Sequence, residues 1–353
     1  MTLTAEAFQH ALLSWFDLHG RKDLPWQLTP TPYRVWVAEI MLQQTQVKTV
    51  IPYYLGFMER FPDVATLAHA EQDAVLGLWS GLGYYARARH LHAAARQIVE
   101  RFAGRLPDDL EHLVSLPGIG RSTAGAILSM GYGCRASILD GNVKRVLCRY
   151  AEIDGWPGDP AVNRSLWHLA ESLTPSHRVR DYNQAMMDLG ALVCVKRQPA
   201  CAACPLETTC AARQNQRVEA LPKARTRTPL PSRACFMLVM TTAAREVYLE
   251  QKPPSGLWGG LWVFPEFESR HELECWCLEH GLDQTRLASL PPRRHSFSHY
   301  HLDYTPVLLN GVSRPTTVRE AHQGWFRVDD TLAIPTPVRR LLDEHPDFTP
   351  LLA

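Results

Sequence analysis

The sequence contains no apolar run long enough to span a membrane, which takes about 18 uninterrupted apolar residues. Near its start, the apolar residues form a helix-period stripe, with no continuous apolar core and no small-residue cleavage site: Phe8, Ala11, Leu12, Trp15 and Phe16. The formal net charge is only +1, so no global basic surface indicates nucleic-acid binding. We therefore expect a protein of the reducing cytoplasm, with no secretory signal and no membrane partner.

Four of the nine cysteines lie close together, and the other five are scattered. The group is Cys194, Cys201, Cys204 and Cys210, a C-x6-C-x2-C-x5-C run. Because disulfides are rare in a reducing compartment, such clustering more often indicates a metal centre. A structural zinc site usually shows two C-x-x-C pairs, whereas this run has one. The spacing favours an iron–sulfur cluster, with zinc and unligated cysteines as alternatives.

The length of 353 residues exceeds the roughly 250 to 300 at which a single hydrophobic core stops growing, so we expect two domains. Residues 221–232 are rich in proline and basic residues and have no hydrophobic period, which is typical of an exposed linker. The pattern before them is mostly helical. Short strands are predicted after them, for example at 234–240, 246–250 and 302–309, and indicate an α+β or α/β module.

Two glycines, Gly118 and Gly120, lie in the segment Leu-Pro-Gly-Ile-Gly-Arg that begins at Leu116. They allow a sharp turn before a helix whose unpaired amides can face a phosphate, although an ordinary glycine-capped helix connection is the alternative. Further along, Asp140 lies two residues before Asn142, the predicted first residue of a helix. Capping that helix is its simplest role, and the same position can hold a carboxylate near the turn.

Taken together, L-P-G-I-G-R, the later L-D-G-N-V and the four-cysteine run resemble the helix-hairpin-helix DNA glycosylase superfamily with an iron–sulfur cluster. The resemblance covers residues from about Asp23 to Cys210. Three segments, Leu24–Trp26, Pro32–Val47 and Gly81–Arg89, resemble the adenine glycosylase branch of the MutY type. After the linker, residues 251–265 resemble the MutT-like, Nudix-fold domain of the same enzymes.

The resemblance implies a multidomain fold, in which an all-α helix-hairpin-helix glycosylase module with an iron–sulfur cluster precedes an α/β Nudix-like module. The implied boundaries are a helical glycosylase region at 1–222, a linker at 223–232 and a Nudix-like recognition domain at 233–353. Within the helical region, the resemblance implies a six-helix barrel at about 30–135, which contains the helix-hairpin-helix at 112–130. It also implies a cluster subdomain formed by 1–29 and 136–222. The four cysteines are expected to hold a 4Fe–4S cluster.

Cleavage of a purine N-glycosidic bond needs a proton on the departing base and negative charge beside the developing sugar cation. Glu39 lies in an otherwise apolar helix, where burial is expected to raise the pKa of its carboxyl and keep it a proton donor. The alternative interpretation is that Glu39 faces solvent. The resemblance assigns adenine N7 protonation and water activation to Glu39. It assigns stabilisation of the sugar cation, with a transient covalent adduct as one route, to Asp140.

Position 122 separates hydrolysis from strand cleavage in this superfamily. Bifunctional relatives carry a lysine at this helix start, whose amine forms a Schiff base with the opened sugar, whereas this sequence has Ser122. The implied activity is therefore monofunctional hydrolysis that excises adenine mispaired with 8-oxoguanine or guanine in base excision repair. The implied partner is double-stranded DNA containing that mispair, bound by a monomer associated with the nucleoid.

Base excision requires side chains that hold the extruded base, fill the vacated stack and contact the backbone. The resemblance implies an adenine pocket formed by Trp26, Leu42, Gln184, Ser122 and Asn142. It implies intercalation and opposing-base recognition by Gln44, Thr45, Leu82, Tyr84, Ser298 and His299. It implies phosphate contacts by Gly118, Gly120, Arg87, Arg89, Lys144 and Arg145. Surface amides, core aromatics and solvated helix charges are the alternative interpretations of these residues.

The C-terminal module departs from an active Nudix hydrolase. Residues 271–279 lack the R-E-x-x-E-E set that holds magnesium, so we expect the fold to serve recognition rather than hydrolysis. Two other functions remain as alternatives: an endonuclease III-like pyrimidine glycosylase, and a catalytically silent DNA-damage sensor or redox protein. Ser122 and the C-terminal module argue against the first, and Glu39 with Asp140 argues against the second.

Overall fold

The computed structural model describes residues 4–225, 229–297, 299–313, 322–327 and 332–344. Its contacts divide the chain into two units. The first comprises Met1–His69 and His90–Arg227, and the second comprises Ala70–Arg89 and Thr228–Ala353. None of the helices in the described parts of the chain is long and apolar enough to cross a membrane.

Helices build the described part of the chain up to residue 225, in agreement with its predicted helical character. In chain order they are α1 (Ala5–His19), α2 (Pro25–Leu28), α3 (Pro32–Leu42), α4 (Val47–Arg60), α5 (Val64–Ala68), α6 (Gln72–Leu78), α7 (Ala86–Phe102), α8 (Leu110–Ser115), α9 (Arg121–Ala126), α10 (Gly141–Tyr150), α11 (Pro160–Leu173), α12 (Val179–Asp188) and α13 (Ala211–Gln214). Two π-helical turns, Ile127–Tyr132 and Leu189–Val193, extend α9 and α12.

Side-chain caps set the start of the helices that matter for the site. The Thr31 hydroxyl accepts from the Arg34 amide at 3.2 Å, and Pro32 supplies the first residue of α3. The Asp140 carboxylate accepts from the Val143 amide at 2.8 Å and caps α10, which begins at Gly141, one residue before the predicted start. Local sequence chemistry therefore determines where both helices begin.

The core of the first unit fixes these helices relative to one another. Phe8, Leu12 and Phe16 of α1 are buried in one apolar cluster with residues of α10, α11 and α12. Within it Phe8 packs edge-on against Tyr150 at 4.8 Å between ring centroids. The stripe that the sequence shows at its start is thus the face of α1 that packs into this core.

The turn between α8 and α9 contains the glycine pair. Gly118 has φ of +76°, and a Cβ atom there would come within 2.8 Å of the Cβ of His90. Only glycine meets both conditions without strain. Gly120 is the N-cap residue of α9, so the glycine-capped turn expected from the sequence is present.

Strands dominate the second unit after the linker. They are β1 (Ser232–Met240), β2 (Glu246–Gln251), β3 (Trp262–Val263), β4 (Glu266–Phe267), β5 (Ala288–Ser289), β6 (Arg293–Ser296), β7 (His301–Leu309) and β8 (Gln323–Arg327), with helices α14 (Arg270–Glu279) and α15 (Thr336–Glu344). One sheet has the order β4-β1-β7-β5, with β6 also paired to β7, and the other has the order β3-β2-β8. The β1–β7 pair is parallel and the other strand pairs are antiparallel.

The second unit also includes residues 70–89, which the sequence pattern assigns to the helical region. Asp73 accepts from Gln251 Nε2 at 2.7 Å and from Trp262 Nε1 at 3.3 Å. The Ile334 carbonyl accepts from Ser80 Oγ at 3.1 Å and from the Tyr85 hydroxyl at 3.2 Å. The composition of the linker indicates a boundary along the chain, but it does not indicate which segments pack together. The domain limits drawn from the sequence therefore stay a prediction.

Candidate active site

Two carboxyl groups distant in sequence line one cavity of about 640 Å³ in the first unit. Glu39 projects from the third turn of α3, and Asp140 is the N-cap residue of α10. Aliphatic and aromatic side chains, including Leu24, Trp26 and Leu42, form much of the wall. The cavity therefore has the form of a small-molecule site, mostly apolar with a few convergent polar groups.

The Glu39 carboxyl is open to the cavity, but protein atoms surround it closely enough to remove most of its hydration. Burial, the larger cause, and the negative charge of Asp140 together raise its pKa from 4.5 to about 8. At neutral pH the group is therefore a protonated acid. It can donate a proton to a base that enters the cavity.

The Asp140 carboxyl is also buried, but hydrogen-bond donors and a cation surround it. Burial is the largest influence and raises its pKa overall, while the Val143 amide, the charge of Arg145 and the Asn142 side chain offset part of that rise. The Asn142 amide nitrogen donates to it at 3.4 Å, beside the 2.8 Å bond from Val143. Donors that stabilise a carboxylate make Asp140 the group suited to carry negative charge.

All five side chains predicted for the adenine pocket line this same cavity, as does Thr45. The Trp26 ring packs edge-on against Tyr54 at 5.3 Å, which fixes its plane. The Ser122 hydroxyl accepts from the Leu139 amide at 2.9 Å and so ties α9 to the segment that leads into Asp140. The fold thus brings together residues that are spread from position 26 to position 184.

The four clustered cysteines lie in the loops after α12, on short 3-10 turns and at the start of α13. All four are half-buried and reduced. The pKa of Cys204 is raised to about 12, mainly by burial, and the charges of Cys194, Cys210 and Cys201 contribute to the rise. The other three thiols thus influence Cys204 electrostatically. Among the described residues, no group of three or more His, Cys, Asp or Glu side chains lies close enough to hold a metal ion as the side chains stand.

Arg149 gives this region its charge balance. It is almost fully buried, and its guanidinium donates to Cys194 Sγ at 3.3 Å and to the carbonyls of Leu221 and Val195 at 2.9 and 2.8 Å. A buried cation held by carbonyls and a thiol suits a neighbouring centre of net negative charge. Four thiols beside such a cation fit an iron–sulfur cluster in donor type and in charge.

Comparison with known proteins identifies the family. Residues 37–172 match the HhH-GPD superfamily of base excision DNA repair proteins, and residues 236–344 match the NUDIX domain. The chain is 36% identical over 350 residues to the adenine DNA glycosylase of Buchnera aphidicola subsp. Baizongia pistaciae, covering 98% of this chain and 99% of that protein. It is 36% identical over 401 residues to the adenine DNA glycosylase of Homo sapiens, covering 95% of this chain and 73% of that protein.

The chain belongs to the adenine DNA glycosylase family. Its activity is the excision of adenine in base excision repair, and the family resemblance found in the sequence is confirmed. Among solved structures, a thermostable thymine-DNA glycosylase matches with a TM-score of 0.55 and 28% identity, covering 60% of this chain and 97% of that one. The predicted fold class, a helical glycosylase module followed by a Nudix-like module, is confirmed as well.

Several residues expected to contact DNA in this glycosylase lie outside the cavity. Gln44 is exposed with φ of 59°, a left-handed conformation between two cavity-lining neighbours. In the second unit, Leu82 is buried, whereas Tyr84 is 47% exposed with φ of 51°. His299 is exposed, and Ser298 lies outside the described residues.

Three of the four cationic side chains expected to contact phosphate donate hydrogen bonds to backbone carbonyls of the glycosylase itself. In the second unit, Arg87 donates to the Gly83 carbonyl at 3.0 Å and Arg89 to the Gly259 carbonyl at 2.8 Å. In the first unit, Arg145 donates to the Cys194 carbonyl at 2.7 Å. These contacts favour a structural role for the three arginines, while Lys144 on α10 is half-buried.

Two residues of the glycosylase site escaped the sequence analysis. Asp188 is fully buried and accepts from the Arg21 amide at 2.7 Å and from the Arg21 guanidinium at 2.6 and 2.9 Å. It also accepts from Gln184 Nε2 at 2.9 Å. The i,i+4 spacing of Gln184 and Asp188 on one helix was a signal for this pair, but nothing in the sequence linked Arg21 to them.

The Asp188 contacts fix how Gln184 presents its amide. An ionised carboxylate can only accept, so the amide nitrogen of Gln184 faces Asp188. Its carbonyl oxygen is then the group left to accept a hydrogen bond in the cavity. Gln184 thereby offers an acceptor of fixed orientation to whatever the cavity binds.

We expect Asp188→Asn to lower the free energy of unfolding by about 3 kcal/mol, because it breaks a buried ion pair and leaves the Arg21 charge uncompensated. Urea unfolding of both proteins measures the difference. The matched control is Glu171→Gln, which removes an exposed partner of Arg121 and should cost less than about 1 kcal/mol. Equal, small effects of the two substitutions would contradict the assigned role of Asp188.

Proposed function

We propose that this chain is a monofunctional glycosylase that hydrolyses the N-glycosidic bond of adenine opposite 8-oxoguanine or guanine. The observation that carries the proposal is the pair of carboxyl groups in one cavity, one protonated at neutral pH and the other surrounded by donors. Bond cleavage with an oxocarbenium-like sugar needs one carboxyl of each kind.

The reaction uses the two groups in sequence. The Glu39 carboxyl gives its proton to N7 of the flipped adenine, and the bond between C1′ and N9 breaks with its electron pair leaving on the base. The Asp140 carboxylate stabilises the sugar cation, either as an ion or as a transient adduct at C1′. Water then adds at C1′ and its proton returns to Glu39, which restores the acid and leaves an abasic site.

Recognition of adenine is assigned to Gln184 and the apolar wall. The Gln184 carbonyl, oriented through Asp188, accepts from the exocyclic amino group of adenine. A base with a carbonyl group in place of the amino group would bring its oxygen against the Gln184 carbonyl oxygen. Both are acceptors and cannot form a hydrogen bond, so such a base would be rejected. Trp26 and Leu42 supply the apolar surface on which the base lies.

Position 122 supports hydrolysis without strand cleavage. A Schiff base with the opened sugar needs an amine at the site. The residue at this helix start is Ser122, and its hydroxyl already accepts a hydrogen bond from the Leu139 amide. We therefore assign no lyase step to the enzyme.

Recognition of the opposing base is assigned to the second unit and to Gln44. The exposed left-handed positions Gln44 and Tyr84 suit side chains that enter a duplex, and His299 is exposed in the predicted recognition loop. On α14, Glu274 pairs with Arg270 at 2.7 Å, and Glu272 accepts from the Glu268 amide at 2.9 Å. These engaged carboxylates favour recognition over magnesium-dependent hydrolysis.

A 4Fe–4S cluster is assigned to Cys194, Cys201, Cys204 and Cys210. These cysteines would hold the cluster and it would join the loops that follow α12, while Arg149, which donates to Cys194 Sγ, would compensate its negative charge. No step of glycosidic cleavage passes through it. The enzyme is further inferred to act as a monomer on nucleoid DNA in the cytoplasm.

Single-turnover release of adenine tests the function. We expect fast release from duplexes with adenine opposite 8-oxoguanine or guanine and none with adenine opposite thymine. Glu39→Gln, which cannot donate the proton, should slow release by at least about 10²-fold while mismatch binding is kept. The proposal fails if the wild-type chain releases no adenine, or if the variant is equally active.

The pH dependence of this rate follows from the two carboxyl groups. Because the pKa of Glu39 is raised to about 8, the acid is intact at neutral pH and is lost above that value. Release should therefore decline about tenfold per pH unit beyond pH 8. Asp140 must be ionised, and burial raises its pKa, so an acid limb should lie above its ordinary value of 3.8. A rate that stays constant well above pH 8 would contradict Glu39 as the acid.

The cluster assignment predicts the metal content of the purified chain. We expect roughly four irons and four inorganic sulfides per chain, since the donor set is four thiolates. Cys204→Ser should lower iron content, whereas Cys134→Ser, an exposed cysteine outside the group, should not. Zinc in place of iron, or equal iron in both variants, would refute the assignment.

A further inference from the structure

A second cavity in the first unit, here called the rear chamber, has a volume of about 370 Å³. Trp26, Glu39 and Gln184 line both it and the active-site cavity. These three side chains therefore separate the two spaces. The remaining wall includes Gln27, Val35 and Met130.

Gln27 is the feature of this chamber that ordinary packing does not explain. Both polar atoms of its amide are buried, and neither finds a hydrogen-bond partner among the described residues. A buried amide without a partner lowers stability unless water or a ligand satisfies it. The chamber has room for several water molecules, each of about 30 Å³, so water can satisfy both groups.

The mouth of the chamber is charged. Arg178 bridges α1 and α12 by donating to Asp17 at 2.6 Å and to Asp181 at 2.8 Å. Lys22 donates to the Asp17 carbonyl at 2.7 Å. The side chains of Arg178, Asp17 and Asp181 are between 39% and 47% exposed, so the entrance is open to bulk water rather than sealed by apolar residues.

We propose that the rear chamber supplies the water that hydrolyses the glycosidic bond, with Gln27 as the residue that positions it. The inference rests on the proposed function, in which Glu39 is the acid and later the base. While the flipped nucleotide fills the front cavity, Glu39 still borders the rear chamber. Water held by Gln27 moves to C1′ as the base departs, its oxygen forms the new bond, and its proton passes to Glu39.

Competition between water and methanol tests the route of the nucleophile. Both capture the same sugar cation, giving an abasic site or its methyl glycoside, so their ratio reports which nucleophile reaches C1′. The full-length chain is assayed in a fixed methanol mixture under single-turnover conditions. The ratio does not depend on the fraction of active enzyme, and a general loss of stability leaves it unchanged.

Two substitutions change the chamber in different ways. Gln27→Leu replaces the amide by an apolar group of similar size, and should slow hydrolysis about tenfold and raise the methanol-to-water product ratio at least threefold. Val35→Leu narrows the chamber from another wall, and should lower that ratio because methanol is the larger nucleophile. Gln97→Leu, the same chemical change on α7 away from the chamber, should leave the ratio at the wild-type value.

Product ratios in Gln27→Leu and Val35→Leu that match the wild type within about twofold would overturn the proposal, since the water would then arrive by another path. Opposite shifts in the two variants, with Gln97→Leu unchanged, would support it. This outcome is distinct from a failure of the proposed function. In that case the wild-type chain itself would release no adenine and give neither product.

Discussion

The site depends on the placement of two carboxyl groups in one poorly hydrated cavity. Ionising both would bring two negative charges together without enough water to screen them, so one group keeps its proton. The choice between them follows from their local surroundings. Asp140 caps α10 and receives donors from its own helix, whereas Glu39 lies in mid-helix among apolar side chains. Acid and anion are thus assigned by where each residue stands in its helix.

Other buried polar groups in the first unit form hydrogen bonds that fix the segments lining this cavity. Asp188 binds Arg21 and Gln184 together, so the end of α12 and the segment after α1 share one ion pair. Arg145 donates to the Gly190 and Cys194 carbonyls and to the Asn142 side chain. This arginine connects the helix capped by Asp140 to the loop that carries the first cysteine. The cavity wall and the cysteine region are therefore joined by direct hydrogen bonds.

Two of the residues expected to meet DNA are among the nine described non-glycine residues with positive φ. Gln44 and Tyr84 adopt left-handed backbone conformations that are unfavourable for side chains of their size. Tyr84 also follows two glycines with positive φ, Gly81 and Gly83, and Arg87 lies against its ring. Such backbone persists only where neighbouring contacts hold it.

The sequence alone determined the helical first region, the strand-bearing second region and the cysteine group, and its resemblance to a known family indicated the five side chains that line one cavity. Each of these follows from local patterns or from motifs contained in short segments: periodicity, proline-rich composition, cysteine spacing and capping chemistry. The tertiary structure decided what joins distant segments. Examples are the Arg21–Asp188 pair, the packing of residues 70–89 with the second unit, and the inward contacts of Arg87, Arg89 and Arg145. Contacts between distant segments depend on three-dimensional packing, and no single-residue pattern encodes them.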